Sequence, residues 1–256
     1  MLDRVAGIVI QAGTEAGEGF KFFELRIGQL EVARHGPIGR PLRLAADTRH
    51  GLAHINGRPS HKLLLTGIEA LTCMTHRGGI AADGKTGDGC GLLIQKPDSF
   101  LRMIAKEQFT VELPEHYAVG AIMLSLDEQV RLQQKQTLNE ELAAAGLVVV
   151  GWRVVPTDNS VLGAIALDSL PAFEQVFVIP QEGKEDALDA GLFVARRKAE
   201  NRLPSATGFY IASLSSSVLS YKGLMMPADL TSFYPDLCDN RLETAICVFH
   251  QRFSTN

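Results

Sequence analysis

The stretch "GGIAADGKTGDGCG", residues 78–91, concentrates glycine and charge. From Gly79 it reads glycine, four residues, Gly84, Lys85 and Thr86, the spacing of a phosphate-binding loop. That chemistry needs a strand feeding the glycines and a helix opening at the Lys-Thr pair, so that helix-terminal amides face the phosphates. Here the order is reversed. An apolar helical stripe precedes Gly79, and Gly87, Gly89 and Gly91 follow Thr86 too closely for a helix to start. Asp88 also brings negative charge to where a phosphate would sit. A nucleotide-binding reading through Gly79–Thr86 therefore has the spacing without the context; it would make ATP affinity depend on Lys85. The plainer reading is a helix-to-strand connection with several residues at positive φ. Arg77, Asp83, Lys85 and Asp88 crowd around those glycines, which points to a loop lining a site rather than to turn chemistry alone.

The thiols offer less. Cys73, Cys90, Cys238 and Cys247 sit in apolar contexts with no CxxC spacing, the pattern of buried reduced thiols in a cytoplasmic protein. Cys73 and His76 share a helix face at i, i+3, but two ligands without partners leave core packing as the better explanation, and no metal site is expected.

The elements that must position these groups follow from periodicity. Ser60 is placed to cap a helix through "HKLLLTGIEALTCMTH", with Leu64, Ile68, Leu71 and Thr75 on one stripe and Leu63, Leu65 and Met74 widening it. Gly78 and Gly79 stop it. Strands are expected at Val5–Gln11, Gly51–Ile55, Cys90–Gln95, Tyr117–Leu124, Leu147–Val155, 174–180 and 245–253, and 208–223 reads as two paired strands. Phe20–Val32 reads as strand or weak helix. Helices are expected at Ser99–Lys106, Asp127–Ala145 and Lys184–Arg197. The class is α/β or α+β with a large sheet. A strand over 245–253 with nothing after it would leave a sheet edge or layer uncovered.

The bulk numbers agree with a packed protein. The chain has 256 residues, 46% hydrophobic and 21% charged, with a net charge of −4, so no general attraction to nucleic acid or anionic membrane is expected. No apolar run is long enough to span a bilayer, and Val5–Ile10 is too short for a signal peptide.

Two distant stretches carry a resemblance. "GLAHINGRPSHKLLLTGIEALTCMTHRGGIAADGKTGDGCGLLIQKPDSFLR" and "YKGLMMPADLTSFYPDLCDNRLETAICVFHQRFSTN" look like the glutaminase domain of the glutamate synthase large subunit, in that family's order, over about 51–256. The resemblance implies a four-layer αββα sandwich of the N-terminal-nucleophile hydrolase type, here truncated at the C-terminus. It implies that a cysteine thiolate attacks the side-chain amide of glutamine, with the chain's own α-amine as base. Ammonia then passes to a synthase domain that uses FMN and an iron–sulfur cluster; no cofactor is expected in this chain. Partners implied are glutamine and the missing synthase domain or small subunit. Arg252 of "HQRFSTN" matches the arginine that grips the glutamine α-carboxylate, and Arg77 of "THRGG" one close to the nucleophile. Taken as single residues, Arg252 reads as a charge at a strand end and Arg77 as a cap on the preceding helix; the resemblance favours substrate contact for both. Asp88 is expected to hold the loop's amides.

The sequence departs from the family at the reacting group. Where the family begins its strand with cysteine, this chain has "DTRHGLAH", residues 47–54, and no cysteine precedes Cys73. Thr48 or Asp47 takes the place, and Thr48 could act only if the chain were cut before it to free its amine. Residues 1–47 lack the resemblance and form an unassigned segment, leaving 48–256 as a partial amidotransferase domain. The family's oxyanion-hole asparagine and glycine fall beyond Asn256. These departures make the expectation an inactive piece of a glutamate synthase, with a non-catalytic glutamine-binding or partner-completed module as the alternative.

Overall fold

The computed structural model describes residues 20–25, 49–203 and 208–252. Helix α1 (His61–Cys73) starts where the sequence places it: Ser60 Oγ accepts from the Leu63 amide at 3.2 Å. The apolar stripe sinks Leu63, Leu64, Gly67, Ile68 and Leu71, while Leu65 turns outward and is exposed. A 3₁₀ turn at Thr75–Arg77 then ends on extended Gly78. Gly67 is fixed by contact, since a Cβ there would lie 2.7 Å from Cys247 Sγ on the strand beneath.

The strands are β1 (Phe20–Leu25), β2 (Arg49–His54), β3 (Cys90–Gln95), β4 (Ala118–Leu124), β5 (Leu147–Val154), β6 (Ala172–Pro180), β7 (Tyr210–Ser215), β8 (Val218–Gly223) and β9 (Ile246–Gln251). The remaining helices are α2 (Asp98–Phe109), α3 (Glu128–Ala144), α4 (Ala164–Asp168), α5 (Leu188–Arg202) and α6 (Leu230–Phe233). Two antiparallel sheets result, ordered β1-β2-β9-β3-β8 and β5-β6-β4-β7. This is the mixed α/β class the sequence implies, in agreement with an N-terminal-nucleophile type of fold. The expected strand at Val5–Gln11 lies outside the described residues.

Two strand expectations are corrected. The strands within 208–223 do not pair with each other: β7 pairs with β4 and β8 with β3. The chain turns a corner between the sheets at Ser216–Ser217, where Asp189 accepts from the Ser216 amide and hydroxyl at 3.1 and 2.6 Å. A side-chain bond, Ser220 N to Ser213 Oγ at 3.0 Å, replaces a backbone ladder there. Strand β9 does not leave an edge uncovered. It sits in the middle of its sheet, bonded to β2 on one side and β3 on the other. Its buried Cys247 and Phe249 share a face with Leu52, Leu92 and Ile94, and α1 packs there.

The larger core spans this face, α1, α2 and the Val119–Phe177 face of the second sheet; a smaller core lies between the opposite face and helices α3 and α5. One buried ion pair joins the parts. Arg153 of β5 makes a two-pronged contact with Asp236, both bonds at 2.7 Å, and a further bond to Gln175 of β6 at 2.9 Å. Tyr221 of β8 donates its hydroxyl to the same carboxylate at 3.1 Å. Both charges are almost fully buried, at 3% and 6% exposure, so removing one partner strands the other in an apolar core. Asp236→Ala is therefore expected to cost about 3–5 kcal/mol in urea unfolding; a loss below ~1 kcal/mol would show the pair to be dispensable.

Candidate functional site

At one end of the five-stranded sheet the first residues of β2 and β3 meet the last residues of β9. The glycine-rich stretch leaves this end as a small hairpin. An antiparallel bridge pairs Ile80 with Gly87, and Ala81 N donates to Thr86 O at 2.8 Å. Gly84 at the tip and Gly89 at the exit have φ of 69° and 96°, conformations that glycine adopts without Cβ strain.

Asp88 closes the base. Its Oδ2 accepts from the Gly79 amide at 2.7 Å, the loop-holding role the sequence suggests. The same oxygen lies 3.4 Å from Arg252 Nε. Arg252 is fixed by its backbone as well: it takes a positive φ of 76°, and its amide donates to Gly89 O at 2.8 Å. Its side chain is 52% exposed, with Nε on the Asp88 side.

The Arg77 amide donates to Met74 O at 2.8 Å, in the turn that follows α1. Its guanidinium reaches His50 Nε2 on β2, at 3.4 Å. The His50 ring stacks on Phe249 of β9, centroids 6.0 Å apart. Gln251, at the end of β9, donates its amide to Thr75 O at 3.0 Å and so ties the Thr75–Arg77 turn to the sheet. A Cβ on Gly78 would fall on that Gln251 amide nitrogen, which explains a glycine in extended backbone. His50 and Gln251 escaped the sequence reading because their partners are distant in the chain. Thr48 lies outside the described residues; Arg49, which follows it, opens β2 at this same end.

The hairpin forms no phosphate cradle. Thr86 is followed by strand β3 rather than a helix. Lys85 Nζ donates to Ser160 O at 2.9 Å, and the Thr86 hydroxyl donates to Asp83 at 2.5 Å. Asp83 also accepts from the amides of Thr86, Lys85 and Ile165. Those bonds, the Thr86 hydroxyl first, hold its carboxyl well below the usual carboxylate range. A carboxyl depressed by folding stabilises above its unfolded value, near ~4, and the gain fades as pH falls through the lower folded value. Wild type and Asp83→Asn should thus differ most in urea stability above about pH 5, and the difference should shrink progressively as the pH falls from about 4 toward the lower folded value.

The cysteines divide. Cys90 and Cys247 are buried, and burial pushes each thiol up to about 12, with Asp229 adding to the effect at Cys90. Cys73 and Cys238 are exposed, contrary to the expectation of four buried thiols. Cys73 is two residues past buried Leu71, which rotates it off the apolar stripe of α1. His76 Nδ1 bonds to the Cys73 carbonyl rather than sharing a metal with its sulfur. Among the described residues no group of three or more His, Cys, Asp or Glu side chains could hold a metal ion. No described helix is long and apolar enough to cross a membrane.

A family model of the class-II glutamine amidotransferases matches residues 51–256. The chain belongs to that family. Its relatives include the glutamate synthase [NADPH] large chain of Bacillus subtilis (strain 168), 39% identical over 209 residues, which is 80% of this chain and 14% of that protein. The corresponding large chain of Azospirillum brasilense is 36% identical, again over 80% of this chain and 14% of its own length. Ferredoxin-dependent glutamate synthase 2, chloroplastic, of Arabidopsis thaliana is 34% identical over 80% of this chain and 13% of its own length. The chain thus spans about a seventh of the bacterial relatives. The amidotransferase match takes in β2 from Gly51 onward, β3 to β9, and both Arg77 and Arg252.

Alkylation tests the thiol assignment of this amidotransferase chain. Iodoacetamide on native protein should label Cys73 and Cys238 and spare Cys90 and Cys247 in peptide mass spectrometry, because the thiolate is the reacting form. Rapid labelling of Cys90 or Cys247 would contradict their burial.

Proposed function

We propose that residues 51–256 are the glutamine-recognising part of a glutamate-synthase-type amidotransferase, with Arg252 and Arg77 as the substrate contacts. The observation that carries this reading is the state of Arg252. Its backbone is locked to Gly89, its Nε lies beside Asp88, and about half of its side chain is exposed. A guanidinium presented in this way suits the α-carboxylate of an amino acid, because two parallel N–H bonds fix the carboxylate plane. Arg77 reaches His50 at the start of β2, where the family places its nucleophile. Asp88 serves as the link between the hairpin amide and Arg252 rather than as a substrate contact.

We further propose that this chain binds glutamine without hydrolysing it. No cysteine precedes Cys73. Cys90 and Cys247 are buried with their pKa values raised, and neither carries a free α-amine to act as base. In the complete enzyme of this type, the released ammonia would go to a synthase domain that holds FMN and an iron–sulfur cluster.

Calorimetry and an ammonia assay test the two statements separately. Glutamine should bind the wild-type chain, and Arg252→Ala should weaken binding by about 10- to 100-fold, the worth of a charge-assisted bond. Ammonia release should stay at background. No heat of binding from folded protein would remove the glutamine reading; measurable turnover would remove the non-catalytic one.

A further inference from the structure

The tip of the hairpin is held as firmly as its base, by a segment that the sequence reading left without a role. Residues 158–166, between β5 and β6, run under the tip. Asp83 Oδ2 accepts from the Ile165 amide at 3.1 Å. The Thr86 hydroxyl gives its proton to Asp83 and accepts from the Ala166 amide at 3.2 Å. Lys85 Nζ reaches Ser160 O. Gly163 completes the fit: a Cβ there would fall on Asp83 Oδ2 and Thr86 Oγ1 and lie 2.7 Å from the Thr86 amide. The contacts are closely spaced and polar, and they engage every hydrogen-bonding side chain that the phosphate-loop spacing had set apart.

We propose that Asp83 is a positioning residue that latches the hairpin tip to residues 163–166 and thereby keeps Asp88 and Arg252 in register at the base. Within the hairpin the arms are tied by the Ile80–Gly87 bridge, by the Asp88 amide to Gly79 O at 3.2 Å and by the Gly79 amide to Asp88 Oδ2 at 2.7 Å, and a hairpin this short is marginal without contacts from outside it. Glycines at 78, 79, 84, 87 and 89 leave its backbone with more freedom than any other connection of this length in the chain. Pinning the tip removes that freedom before ligand arrives, which lowers the ordering cost of binding. The latch rests on the glutamine reading only for its consequence, not for its existence.

Amide exchange by NMR on the full chain separates a latch from a local brace. Asp83→Ala removes the acceptor; Gly163→Ala crowds Asp83 and Thr86 from the facing segment while leaving the hairpin's own residues unchanged, and serves if the first variant folds poorly. In both, the amides of Thr86, Ile165 and Ala166 should lose protection by roughly tenfold or more. The base amides of Gly79 and Arg252 should lose protection with them. Loss confined to the tip, with Gly79 and Arg252 unchanged, overturns the proposal. Where wild type binds glutamine, both variants should bind about tenfold more weakly while still folded; unchanged affinity overturns it too. A wild type that binds no glutamine defeats the proposed function alone, and the exchange pattern still decides the latch.

Discussion

The insertion of β9 between β2 and β3 is the constraint on which the site depends. Backbone ladders on both sides hold Ile246–Gln251 in register, and Cys247 and Phe249 press into the face that α1 covers. The register leaves no choice about what lies beyond the last pair. Gln251 opposes Cys90, so Arg252 emerges beside Gly89 and the base of the hairpin. A slip of one residue would turn Phe249 to the opposite face and carry Arg252 away from Asp88. Two stretches more than 150 residues apart in sequence become one site because a strand pairing demands it.

Around that pairing, charge is used for orientation more than for cohesion. Arg252 and Asp88 are each about half exposed, where an ion pair adds little stability but sets where the guanidinium points. The opposite holds for Arg153 and Asp236, which are buried between the sheets and cannot lose one partner without leaving the other unpaired. Asp83 falls between these cases: it lies near the surface, yet four donors converge on it, so its carboxylate is held by geometry rather than by a counter-charge. Among the described residues the Arg153–Asp236 pair braces the core, and hydrogen bonds to backbone brace the hairpin of the candidate site.

Much of the local structure was legible. Ser60, the apolar stripe of α1 and the glycines after Arg77 announce a capped helix and its stop, and the runs at Cys90–Gln95 and Tyr117–Leu124 announce strands, because periodicity and capping act over a few residues. The helix-to-strand connection was legible too, since Gly87, Gly89 and Gly91 forbid the helix that a phosphate loop requires. What misled was adjacency. The runs at 208–223 look like a hairpin, yet β7 and β8 enter different sheets, because each finds a better-matched neighbour in β4 and β3. The last strand looked like an edge because it ends the order along the chain, whereas its place in the sheet is central.

The sequence by itself determined the elements, the family through the motifs at 75–91 and 250–256, and the absence of any cysteine before Cys73. Tertiary structure alone decided that Arg77 meets His50, that Arg252 meets Asp88, and that the Lys-Thr pair of the glycine-rich stretch is engaged by residues 160–166. The physical reason is range. Helix caps, turn glycines and apolar periods are settled between neighbours in the chain, but a side chain's partner is settled by which strands pair and how the layers stack, and those follow from burying the whole core at once.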